Sequence, residues 1–186
     1  MKFLKWLLVV IVALVLAFFL FGKSYLKEQT KKISPEKTAT YGKNGMDLTV
    51  NYSSPFKKGR VIFGELVPYD MVWRTGANEP TTFTTGGNIN IGGKSLPAGS
   101  YSLWTIPGKE TWTIIFNNEI PDWGVTILSG GKKTTRNVDA DVLQINVPVQ
   151  QLSQSIESLS IDFEENEQLY LSLAWDKTKV SLPINK

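Results

Sequence analysis

One hairpin constrains the fold more than any other stretch. In Gly99-Ser-Tyr-Ser-Leu-Trp-Thr-Ile-Pro-Gly-Lys-Glu-Thr-Trp-Thr-Ile-Ile-Phe-Asn117 two alternating segments flank a Pro-Gly-Lys-Glu turn. Side chains alternate across a strand, so Tyr101, Leu103 and Thr105 share a face with Trp112, Ile114 and Phe116, and this face is expected to be the core. The turn predicts Ile106 opposite Thr111 and Leu103 opposite Ile114. Similar short patterns recur over Met46–Tyr52, Thr81–Thr85, Asn88–Ile91, Val142–Val147, Ile156–Phe163, Leu169–Trp175 and Thr178–Ile184, with Gly, Pro, Asn or Asp between them. Asp176-Lys177 reads as a two-residue turn joining the last pair. Only Val149–Ile156 offers a helical candidate, and it is short. The expectation is an all-β domain: a two-sheet β-sandwich, with barrel-like closure as the variant.

The N-terminus reads differently. From Trp6 to Gly22 no charge interrupts an apolar run of seventeen residues, about 25 Å as a helix, near the lower limit for crossing a bilayer. A cleaved signal peptide is the alternative, but the run ends in Phe18-Phe-Leu-Phe-Gly-Lys23 without a small-x-small site. A transmembrane anchor or uncleaved signal over 1–22, a polar stalk over 23–40 and a β-sandwich over 41–186 is the expected organisation. The stalk is expected to be helical as far as Lys32 and broken before Pro35. Lysines lie on both sides of the run. Export, with the domain periplasmic or extracellular, rests on the habit of extreme N-terminal apolar runs to act as export signals.

Composition removes much chemistry. The chain has no cysteine and no histidine, so thiol nucleophiles, thiolate metal sites, lipoprotein acylation and Ser-His-Asp catalysis are excluded. Six of the twenty Lys and Arg fall in residues 1–34 against one of the seventeen acids, leaving fourteen basic and sixteen acidic residues beyond. The globular part therefore lacks the positive excess of a nucleic-acid binder. No cofactor and no metal ligand set is expected. The glycine pairs Gly86-Gly87 and Gly92-Gly93 read as turns, since neither has phosphate-loop spacing.

The run Gly59-Arg-Val-Ile-Phe-Gly-Glu-Leu-Val-Pro-Tyr-Asp-Met-Val-Trp-Arg-Thr-Gly-Ala-Asn-Glu79 resembles the signature of a bacterial family, domain of unknown function 2911. Gly92–Pro107, Trp112–Asn117, Trp123-Gly124 and Leu173–Pro183 resemble its later blocks, and the likeness covers about residues 40–185. It implies an exported β-rich domain without an assigned activity, and it transfers no catalytic residue.

Asp70–Thr82 is the densest polar stretch. Gly76 can reverse the chain and bring Arg74 toward Glu79 around Asn78. Arg74, Asn78, Glu79 and Thr75, with Tyr69 beside them, are candidate binding residues for a carboxylate, phosphate or sugar. The structural reading of the same residues is an Arg74–Glu79 ion pair tying a loop to the sheet. Trp104, on an otherwise polar strand face, is a candidate sugar-stacking platform or a residue beneath a covering loop. Function is expected to be non-catalytic binding of a small polar ligand, glycan or envelope protein by a membrane-anchored domain. The rival is a carboxylate-based hydrolase or lyase using Asp70 and Glu79 with Arg74.

Overall fold

A computed structural model of the chain describes residues 2–17, 22–126, 129 and 133–186. Two compact units result, Met1–Ile33 and Ser34–Lys186. The first holds two helices, α1 (Lys2–Ala17) and α2 (Lys23–Ile33). Only the stretch of α1 from Trp6 to Ala17, roughly 18 Å at helical rise, is free of charge. Among the described residues no helix is long and apolar enough to cross a membrane, which corrects the expected spanning helix. Residues 18–21 of the apolar run lie outside the described residues.

Among the described residues the second unit carries nine strands: β1 (Glu36–Tyr41), β2 (Leu48–Ser53), β3 (Thr81–Thr85), β4 (Ile89–Ile91), β5 (Lys94–Leu96), β6 (Gly99–Ile106), β7 (Thr111–Asn117), β8 (Asp141–Glu165) and β9 (Leu169–Asn185). They form one open sheet in the order β1-β2-β3-β6-β7-β8-β9-β4-β5, with every neighbouring pair antiparallel. β1 uses residues assigned to the stalk from sequence.

The two-sheet sandwich is therefore not formed, and β8 and β9 explain why. The sequence divides each into two short strands, but both run through. Asp141–Pro148 of β8 pairs with β7, while Val149–Glu165 pairs with β9, so one strand carries the sheet from its first half to its second. Val149–Ile156 is strand, not helix. Between Gln151, opposite Thr178, and Ile156, opposite Asp176, β8 holds several unmatched residues, and the register slips again before Ser160. Asp176 absorbs the irregularity with a left-handed φ of 52° instead of turning the chain. Its carboxylate accepts from Lys57 Nζ at 2.5 Å and Ser155 Oγ at 2.7 Å.

An open sheet must still cover its apolar face. Here the bulged part of β8 meets the segment after β2. Leu159 N–H donates to Pro55 O (3.0 Å), Lys57 N–H to Glu157 O (2.6 Å) and Ser54 Oγ–H to Leu159 O (2.6 Å). Tyr41 of β1 donates to Glu165 Oε1 at the far end of β8 (2.7 Å). The sheet thus curls, and one cluster joins Val50, Phe83, Leu103, Ile114, Ile145, Leu171 and Leu182. Four rings, Phe63, Trp73, Trp112 and Trp175, pack together with Trp73 stacked 6.0 Å from Trp175.

The β6–β7 faces follow the expected alternation, with Tyr101, Leu103, Trp112, Ile114 and Phe116 in the core. The register differs by two residues: Ile106 faces Thr113 and Leu103 faces Phe116. A shift of two preserves the faces. β3 and β4, adjacent in sequence, pair at opposite ends of the sheet. Gly92 and Gly93, with φ of 57° and 81°, form the tight β4–β5 turn. A Cβ at Gly92 would lie 2.5 Å from Ile145.

Candidate functional site

The polar loop is an excursion from the sheet. From Asp70 to Trp73 the chain runs antiparallel to the end of β6: Asp70 N–H donates to Pro107 O (2.8 Å), and Trp73 and Thr105 exchange backbone hydrogen bonds at 2.7 and 3.0 Å. It leaves the sheet after Arg74, loops through Thr75–Pro80, and returns as β3 beside the same strand. Thr81 closes the loop, its N–H donating to Arg74 O (3.4 Å) and its hydroxyl to Thr75 O (2.7 Å).

Two non-glycine residues of this loop hold left-handed backbones, Thr75 (φ 60°) and Asn78 (φ 59°). Such conformations cost free energy and persist where the surroundings over-determine them. Gly76 has a steric reason to be glycine, because a Cβ there would sit 2.8 Å from Ser53 O. That carbonyl also accepts the Ala77 N–H at 3.3 Å.

The candidate residues separate into two places. Thr75 is fully buried, its hydroxyl 3.2 Å from Thr105 Oγ1. Asn78 is buried; its Nδ2 approaches Ser53 Oγ at 3.4 Å, and its carbonyl accepts the Gly124 N–H at 3.1 Å. Arg74 is half-buried, and its side chain lies against Gly124, where a Cβ would fall 2.9 Å from Arg74 Cβ and still closer to Cδ. Tyr69 lies elsewhere, against Gly64 and with Lys109 Nζ 5.9 Å from its ring centroid. Asp70 is exposed at the β6–β7 turn, near Gly108.

Trp104 is fully buried. Its Nε1–H donates to Ser102 Oγ at 2.8 Å, and that hydroxyl donates to Glu119 O at 2.6 Å, so the chain following β7 is bound to this sheet face. A sugar ring does not reach the indole.

The expected Arg74–Glu79 pair does not form: no ion pair joins these residues. The half-buried Glu79 is not without a partner. Arg74 Nε is buried and has no hydrogen-bond partner. Burial lowers the Arg74 pKa from its ordinary value. The guanidinium nonetheless stays charged at neutral pH. The other two arginines of the chain are engaged. Arg60 donates to the carbonyls of Phe56 (2.5 Å) and Lys57 (3.0 Å), and Arg136 is buried on Asp141.

Gly124 and Ser53, which shape the loop from distant parts of the chain, carry no local chemical signal. The Trp123-Gly124 dipeptide points to the first only through the family resemblance. Among the described residues no group of acids could hold a metal ion.

The family model described as "Protein of unknown function (DUF2911)" matches residues 34–184, and the chain belongs to this family. The match begins where the compact β-rich unit begins. No curated protein and no solved structure matches the chain.

Proposed function

We propose that the β-rich unit is an extracytoplasmic, non-catalytic binding domain whose ligand site is the Arg74–Glu79 loop, and that α1 associates the chain with a lipid membrane. One observation carries the binding reading: Arg74 is half-buried and charged, yet its buried Nε has no hydrogen-bond partner among the described residues. An ordinary structural arginine at such depth is paired, because burying an unpaired charge is unfavourable. The left-handed backbones of Thr75 and Asn78 add a second unfavourable term in the same loop. A bound ligand offsets both.

Placement of the acids favours binding over catalysis. Asp70 precedes the bridge at Trp73 by three residues, roughly 10 Å of extended chain, and sits at the hairpin turn. It forms no ion pair with Arg74. The membrane reading rests on α1, whose Phe3, Leu4, Trp6, Leu8, Ile11 and Leu14 are exposed. An apolar surface of this kind is unfavourable in water and is covered by lipid. Lysines flank the run on both sides, so the extracytoplasmic placement rests on the apolar run acting as an export signal.

The test is ligand-induced thermal stabilisation of the full chain across a panel of metabolites and short glycans, with wild type and Arg74→Met compared. A ligand that raises the wild-type melting temperature by several degrees and leaves the variant unmoved is the expected result. Stabilisation that is equal in both proteins would place the site elsewhere.

A further inference from the structure

Resting on the reading of α1 as the lipid contact, we infer that α2 is a second contact with the same membrane and selects a bilayer surface bearing anionic headgroups. Charge is unevenly placed along the chain. Residues 1–34 hold six lysines against one acid, whereas the rest holds fourteen basic and sixteen acidic residues. Four of those six lysines, Lys23, Lys27, Lys31 and Lys32, fall within the eleven residues of α2, with Glu28 as its acid. Ligand binding by the β-rich unit does not use them.

Lys, Glu, Gln and Leu favour a helix, and Pro35 disfavours helical backbone at the residue before it, so α2 ends at Ile33. Lys31 and Lys32 sit in the last turn, where the helix dipole favours cations. At about 100° per residue, Tyr25, Leu26 and Ile33 share one arc of the helix, with Gln29 between them. All three apolar side chains are exposed. Lys27 and Lys31 project from the opposite face, and Lys32 borders the arc. An exposed apolar stripe backed by lysines is the pattern of a helix that lies in the membrane interface.

Three apolar side chains are too few to hold a bilayer alone. A modest apolar anchor becomes firm when a basic segment acts beside it. Here α1 supplies the apolar anchor and α2 the charge. Lys27 and Lys31 are not without partners, and the attraction needs no free ammonium. It arises from the net charge of the segment, which is felt over a Debye length of about 8 Å. A bilayer also covers the apolar arc of α2 and the apolar surface of α1 together. A nucleic acid or an acidic protein surface attracts the lysines but leaves both apolar surfaces in water.

The test offers the full chain two kinds of vesicle at once, phosphatidylcholine alone and phosphatidylcholine mixed with phosphatidylglycerol, one kind marked by a fluorescent lipid. The ratio of protein floating with each reads the preference. Wild type should favour the anionic vesicles by about tenfold or more at low salt, and high salt should reduce the ratio. The triple variant Lys27→Gln, Lys31→Gln, Lys32→Gln should float equally with both. Glu28→Gln, which adds net positive charge to α2, should favour the anionic vesicles more than wild type does, and it carries the test if the triple variant does not fold.

Equal flotation of wild type with both vesicles overturns the role of α2 and leaves α1 as the lipid contact. A preference that the triple variant keeps, or that Glu28→Gln does not raise, places the selectivity outside α2 and overturns the inference. A preference that high salt leaves unchanged contradicts its electrostatic origin. Flotation with neither vesicle removes the membrane reading of α1, and this inference with it.

Discussion

Asp141 shows what a buried charge looks like when the protein itself supplies the partners. Burial raises its pKa, but hydrogen bonds from Arg136, Asn117 and Gln144, and the Arg136 charge, bring it below the ordinary 3.8. A carboxyl depressed in the folded state binds its proton more weakly than in the unfolded chain. It therefore contributes its full stabilisation above about pH 4 and loses it as pH falls through the folded value. Asp176 follows the same sign: burial raises its pKa, and Lys57 with Ser155 outweighs that. Urea unfolding at pH 6 and pH 3 should show a marked loss for wild type and a smaller loss for Asp141→Asn. That substitution should itself cost about 3 kcal/mol at pH 7 by leaving Arg136 without its charge partner. The contrast with Arg74 was only half legible in the sequence. The residue types announced a polar loop, and Arg with Glu around a glycine suggested a pair. Whether two such side chains meet depends on contacts made by Ser53 and Gly124, far away in the chain, and no local pattern encodes those.

At the scale of elements, alternation was the reliable signal. Leu48, Val50 and Tyr52 of β2, and Tyr101 and Leu103 of β6, lie in the core as their period of two requires. Continuity was not legible. The polar stretch near Gln151–Ser155 and the Asp176-Lys177 pair look like interruptions, yet β8 and β9 absorb them as a bulge and a single left-handed residue. The local sequence of a bulge resembles that of a turn, and pairing with the neighbouring strand decides between them. Hydrogen exchange gives this difference a measurable form. Amides of 152–155, in the register gap, should exchange orders of magnitude faster than those of 161–163 and 143–147. Ser54→Ala should cost about 1–2 kcal/mol, because it leaves the buried Leu159 carbonyl without the Ser54 hydroxyl. Exchange over residues 157–161 should rise selectively in that variant.

For the whole molecule, the family could be read from the signature around Trp73–Glu79, and the β-rich class from its strand patterns. The single curled sheet could not, because its order turns on the two pairs that are not consecutive, β3 with β6 and β4 with β9, the latter joining Asn90 to Asn185. The division into a helical unit and a β-rich unit leads to a direct expectation. A chain starting at Ser34 should melt within about 2 °C of the full chain and should no longer float with liposomes in a density gradient. Co-flotation of that shortened chain would remove α1 as the lipid contact. The central claim is that Arg74 serves a ligand and not the scaffold, and the equilibrium unfolding of Arg74→Met tests it most directly. Methionine keeps an unbranched apolar stem against Gly124 and removes the buried, unpartnered Nε. The account predicts that the variant is as stable as wild type or more stable, by up to about 1 kcal/mol. A loss of about 3 kcal/mol or more would show that Arg74 holds the fold together, and would contradict it.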